Sequence, residues 1–197
     1  MYSASCPLQS IPLRPTHVPT WYTSIEQHSE RVASLADRLA CYYGLSVEQR
    51  QIINWAARWH DYGKLAVGPR IVYAPRALND TEWLLMRRHP RIGANYCQRI
   101  GAPMAAVRII DAHHERWDGR GYGQGLARYA IPLGAQILAL ADVFDAVTND
   151  RPYRPALSVG AALDLMRAER ERAFHPELLD LALNVFSTML TPRYAMA

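Results

Sequence analysis

From Ser24 onward, apolar residues recur mostly at three- and four-residue spacing, a period that predicts helices. In HSERVASLADRLACYYG, residues 28–44, Val32, Leu35, Ala36 and Leu39 fall on one face, and Gly44 predicts the stop. Ser46 and Gln49 form a capping box for the next helix, which carries Ile52, Ile53, Ala56 and Trp59 toward His60 and Asp61. KLAVGPRIVYAPRAL, with a glycine and two prolines, reads as a loop. Asn79 followed by Glu82 predicts the cap of a third helix running toward His89. Pro103 takes the first position of the next helix. RWDGRGYGQGLARYAIP holds four glycines and predicts a loop. Helical spacing returns in LGAQILALADVFDAV, VGAALDLMRAERERA and PELLDLALNVFSTML, and no segment alternates as a strand does. The expectation is an all-α domain of about seven helices.

Composition refines this picture at the ends and in the choice of partners. Pro7, Pro12, Pro15 and Pro19 exclude a regular helix over residues 1–20, which read as an arm or linker ahead of a domain spanning 21–197. Of the 197 residues, 50% are hydrophobic and 20% charged, enough to bury a sizeable core. The formal net charge of +4 comes without any run of five like charges. Nothing therefore argues for a nucleic-acid polymer, and a phosphate-bearing small molecule suits the charge equally well. Cys6, Cys41 and Cys97, an odd number without CxxC spacing, read as free thiols of a reducing compartment. No uninterrupted apolar run long enough to span a membrane and no signal peptide is present, so a cytoplasmic location is expected.

The chemistry gathers near predicted helix ends. His28, the pair His60–Asp61, His89, the pair His113–His114, and Asp142 make five imidazoles and two carboxylates. Neighbouring residues on a helix point about 100° apart, so a His–Asp or His–His doublet at a helix end reaches two neighbouring ions, or one ion and a substrate. A mixed nitrogen and oxygen set suits iron, manganese or zinc rather than calcium, and the absence of sulfur argues against a structural zinc site. Two ions roughly 3.5–4 Å apart activate a water near neutral pH, and Asp61, with two oxygens, is suited to bridge them. Lys64, three residues on, reaches the same space and could stabilise a phosphoryl oxygen or help protonate a leaving oxygen. Trp55 and Trp59 are expected to pack the back of the helix that delivers these groups.

HSERV, HDYGK, HPRIGA, HHERWDGRGYG, IPLGAQILALADVFDAVTNDRPYR and FHPEL follow in the order of a known pattern. Over residues 24–186 the chain resembles the HD-GYP family, the branch of the HD phosphohydrolase superfamily known for hydrolysing cyclic di-GMP. The resemblance implies an HD-type helical bundle with a two- or three-metal centre between helices, often of iron or manganese. It implies His28, His60, Asp61, His89, His113, His114 and Asp142 as ligands and Lys64 as the catalytic lysine. Tyr122, Arg151 and Arg154 fall where the family contacts substrate, and arginines can fork onto phosphate. The loop 117–126 falls where family members contact protein partners. Asp118 reads either as a group orienting a histidine or as a turn former, and Trp117 as core packing.

Three departures stand out. Ser24 replaces a glutamate that often supplies a third metal site, which favours two ions. Gly123 replaces the proline of GYP, which leaves Tyr122 less preorganised, and Gln136 replaces an arginine. The function implied is hydrolysis of cyclic di-GMP to pGpG and GMP, with the 3′,3′ GMP-AMP hybrid as alternative substrate. A non-catalytic cyclic dinucleotide sensor or interaction module and a general HD nucleotidase are the competing classes.

Overall fold

The computed structural model describes residues 11–13, 15, 18–150 and 155–188. Among these, ten α-helices follow in order: α1 (Thr23–Tyr42), α2 (Val47–Trp59), α3 (Lys64–Val67), α4 (Pro69–Val72), α5 (Asp80–Met86), α6 (His89–Arg99), α7 (Met104–Ala112), α8 (Leu133–Thr148), α9 (Val159–Ala168) and α10 (Pro176–Ser187). Single 3₁₀ turns lie at Thr20–Tyr22 and Arg128–Ala130, and no strand occurs among the described residues beyond one bridge between Arg170 and Phe174.

The all-α expectation holds, and the predicted boundaries shift for identifiable reasons. Both capping boxes form: Ser46 Oγ accepts from the Gln49 amide, and Asn79 Oδ1 from that of Glu82. The stretch read as a loop after Lys64 instead contains α3 and α4, four residues each and separated by Gly68. A single turn is too short to leave a hydrophobic period. The helix expected to run from Asn79 toward His89 breaks into α5 and α6 because Pro90 can give no amide to the Met86 carbonyl and its ring would crowd it. Pro103 precedes α7 rather than opening it. α9 stops at Ala168, short of the predicted run, and Glu171 adopts φ +62° at the turn that follows.

α1 buries Val32, Ala33, Leu35, Ala36, Leu39 and Ala40 against α2 and α8. α8 is apolar almost all round, with Ile137, Leu138, Leu140, Ala141 and Phe144 buried, as befits a central helix. Phe144 stacks on Phe186 of α10, ring centroids 4.4 Å apart. Trp55 and Trp59 stack at 5.2 Å behind the His60–Asp61 turn, and both indole N–H groups donate to the Pro12 carbonyl. Burying each indole contributes on the order of 3 kcal/mol, so the helix end that carries His60 and Asp61 rests on a stiff base. Cys41 and Cys97 are free. Among the described residues no helix is long and apolar enough to cross a membrane.

Candidate metal centre

Helix ends leave carbonyls without amide partners, and three histidines use them. His60 Nδ1 lies 2.6 Å from the Ala57 carbonyl, His89 Nδ1 2.8 Å from that of Met86, and His113 Nδ1 2.6 Å from that of Ile110. In each case the histidine donates to the carbonyl three residues before it. For Met86 the normal helical donor would be residue 90, a proline, so the ring takes the place of the missing amide. A fourth ring, His28, sets its Nδ1 2.6 Å from Asp145 Oδ2. The three carbonyl-bonded rings therefore carry hydrogen on Nδ1 and turn the Nε2 lone pair inward, while His28 is held between two carboxylates, its Nε2 2.9 Å from Asp142 Oδ1.

Those lone pairs suit a cation. His60 Nε2 is buried without a partner. His89 Nε2 and His113 Nε2 face each other at 3.3 Å, and with both Nδ1 hydrogens committed to carbonyls the two lone pairs repel unless a positive charge lies between them. Three sets of donor atoms lie close enough to share an ion: His89, His113 and His114; His28, His60 and Asp142; and His60, Asp61 and His113. Asp61 stands between the first two sets. Its Oδ1 is 3.3 Å from His89 Nε2, while its Oδ2 is 3.4 Å from His60 Nε2, 4.0 Å from His28 Nε2 and 2.6 Å from Lys64 Nζ. The donor set and its orientation fit a divalent metal centre.

The protonation states of three of the rings agree with that use. Burial, reinforced by neighbouring imidazoles, pushes His113 well below its usual range and His114 down to about 3, and burial lowers His89 despite Asp61. These rings are neutral at neutral pH and their lone pairs are available. Burial alone would raise Asp61, but His60 and Lys64 hold it well below the carboxylate range. Burial would lower His28, but its bonds to Asp142 and Asp145 outweigh it and raise the ring to about 9.

Asp145 and Arg31 are the residues that sequence reasoning missed. Arg31 forks onto Asp145 through Nε at 2.7 Å and Nη2 at 2.9 Å, and Asp145 in turn orients His28. The signal was present in DVFDAV, where Asp145 follows Asp142 by three residues and so shares its helix face. Replacing Asp145 with asparagine removes the charge that holds His28 and breaks the fork. Metal affinity is expected to fall about 10- to 100-fold, with helicity retained. Calorimetric titration with Mn²⁺ checks this, and an unchanged affinity would show that Asp145 has no part in holding the site.

The remaining residues separate cleanly. Tyr122 stacks on His114 at 4.6 Å and 29°, and its amide donates to the His114 carbonyl. Its loop is held, contrary to the slackness expected from GYG. The Gln124 amide donates to Glu115, and Gln124 Nε2 lies 2.8 Å from Asp111 Oδ2. Gly123 sits at φ +145°, and a Cβ there would stand 2.9 Å from Glu115 Oε1, so this loop could not accept the family proline with its φ near −65°. Asp118 is a turn former, accepting from the Arg120 amide at 3.0 Å. Ser24 is taken up by Tyr73, 2.5 Å away. Gln136 supports the loop before α8 by donating to the Ile131 carbonyl at 2.8 Å. Trp117 is buried against Tyr129 and His175. Arg151 and Arg154 lie outside the described residues.

A family model described as an HD domain matches residues 21–178. The chain is 43% identical over 161 residues to the cyclic di-GMP phosphodiesterase response regulator RpfG of Xanthomonas campestris pv. campestris, covering 78% of this chain and 41% of that protein. It is 38% identical over 143 residues to 3′3′-cGAMP-specific phosphodiesterase 1 of Vibrio cholerae, covering 73% and 33%. It thus spans well under half the length of either relative. Among solved structures, Bd1817, an HDG"Y"P protein from Bdellovibrio bacteriovorus, shares the fold with a TM-score of 0.68 at 21% identity, covering 83% of this chain and 52% of that one. The chain belongs to the HD domain family.

Proposed function

We propose that this chain is a metal-dependent phosphodiesterase that opens a cyclic dinucleotide, cyclic di-GMP first, to the linear pGpG. The observation that carries the reading is Asp61, whose two oxygens turn toward separate histidine sets. In this reading His28, His60 and Asp142 hold one ion, His89, His113 and His114 a second, and Asp61 both. The mixed imidazole and carboxylate set suits iron or manganese. Two such ions would supply a Lewis acid for the phosphate oxygens and a water activated near neutral pH.

The protein's own groups do the rest. Lys64 Nζ, 2.6 Å from Asp61 Oδ2 and still partly exposed, is anchored beside the bridge, where its ammonium can bind a phosphoryl oxygen or give a proton to the departing ribose oxygen. Tyr122 lines the approach from the His114 side. Arg151 and Arg154, following the family pattern, bind the phosphates from the segment after α8.

Anaerobic purification with metal analysis, then incubation with cyclic di-GMP and chromatography, tests the reading. About two ions per chain and the appearance of pGpG are the expected result; a metal-free protein that binds the dinucleotide without opening it would make this a sensor. Lys64→Met is expected to keep the ions and lower kcat about 10²- to 10⁴-fold, and unchanged kcat would remove Lys64 from the mechanism. A second substrate, the 3′,3′ GMP-AMP hybrid, is favoured by the similarity to the Vibrio cholerae enzyme. Running both dinucleotides in parallel decides between them.

A further inference from the structure

Trp83 in α5 and Arg87, which caps its C-terminus, lie one above the other at i, i+4 spacing. Both side chains are exposed; Trp83 keeps 42% of its surface in solvent. The Arg87 guanidinium carbon lies 5.7 Å from the Trp83 ring centroid and 5.9 Å from that of Tyr122. Tyr122 comes from a different element, the glycine loop, and rests on His114. A continuous line of flat groups therefore runs outward from the metal centre: His114, Tyr122, Arg87, Trp83. No carboxylate pairs with Arg87 among the described residues. Folding gains little from an exposed indole beside an unpaired guanidinium, whereas both are suited to a flat ligand with acceptors on one edge.

Resting on the phosphodiesterase reading, we propose that Trp83, Arg87 and Tyr122 form the subsite for a guanine base of the substrate. The base stacks on the Trp83 indole, and the Arg87 fork donates to O6 and N7. Guanine offers two acceptors on that edge. Adenine offers N7 beside an amino donor, which repels the second arm of the fork. The subsite thus selects for at least one guanine in the dinucleotide, a preference that neither the metal ligands nor Lys64 can supply, since they see only phosphate.

The test compares metal-loaded wild type with Trp83→Ala, Trp83→Phe and Arg87→Met in turnover and in binding. The turnover substrates are cyclic di-GMP, cyclic di-AMP and methyl p-nitrophenyl phosphate, a diester without a nucleobase. Trp83→Ala and Arg87→Met are expected to raise KM for cyclic di-GMP about tenfold or more, with kcat little changed. Hydrolysis of the base-free diester should stay constant, Trp83→Phe should recover most of the loss, and Arg87→Met should narrow the preference for guanine over adenine. Calorimetric binding of GMP and AMP to the same proteins is independent of turnover: GMP affinity should drop in both variants and exceed that for AMP in wild type. An unchanged KM for cyclic di-GMP, a parallel fall on the base-free diester, or wild type with no affinity for GMP overturns the subsite. Failure of wild type to open any cyclic dinucleotide, with GMP binding still dependent on Trp83 and Arg87, overturns the phosphodiesterase reading and leaves the subsite standing.

Discussion

Replacing Asp61 with asparagine is expected to empty both halves of the metal centre at once and to lower kcat/KM by well over 100-fold, beyond the range for a group that only supports a ligand. The reason is geometric as well as electrostatic. Oδ1 serves the His89 side and Oδ2 the His28 and His60 side. An asparagine keeps one acceptor oxygen and presents N–H hydrogens where the other was, so one side loses its donor outright. The negative charge that gathers four cations or lone pairs around a fully buried position disappears as well. Lys64 loses its partner, but it is partly exposed and can turn to water, so the fold should survive. Metal content after anaerobic purification, turnover and a circular-dichroism melt measure the three parts. Full metal content with undiminished turnover would show that Asp61 does not join the two sites.

Gly63→Ala is the second large effect, and it acts through the backbone. A Cβ at position 63 would stand 2.0 Å from the His89 carbonyl oxygen and 2.8 Å from the Gly93 amide nitrogen. Both obstacles are main chain in α6, so no side-chain rotation relieves the clash. The turn bearing His60 and Asp61 must move away from the helix that begins with His89. Overpacking of this kind costs about 3 kcal/mol, which for a domain of this size lowers Tm by about 6–12 °C. Metal affinity should fall with it, because ligands on the two sides of the contact separate. Gly160, by contrast, lies within α9 with open space around its missing Cβ, and there an alanine should leave metal binding intact. A Gly63→Ala protein with wild-type Tm and metal content would mean that α6 yields easily.

The helices were legible in the sequence because helical period and capping are local. Val32, Leu35, Ala36 and Leu39 fall on one face by spacing alone and are all buried, and the Ser46–Gln49 box needs only four residues to form. The short α3 and α4 escaped for the same reason: a four-residue turn has no period to detect, whereas the break before His89 did leave a local mark in Pro90. The donor residues were equally visible, since doublets such as His60–Asp61 and His113–His114 have few purely structural explanations, and the structure draws all seven candidate ligands together.

How those residues act together was not visible. That His60, His89 and His113 each donate to a carbonyl three residues back follows from where each helix stops. That Asp61 divides its oxygens between two histidine sets depends on the approach of α6 to Gly63. The fork from Arg31 through Asp145 to His28 joins α1 to α8, and Arg87 meets Tyr122 only because α5 and the glycine loop end side by side. The sequence by itself determined the helices and the donor types, because both are properties of neighbouring residues. Tertiary structure decided which donors gather around Asp61 and the aromatic line beside the site, because distances of 3–6 Å between groups remote in sequence are set by packing.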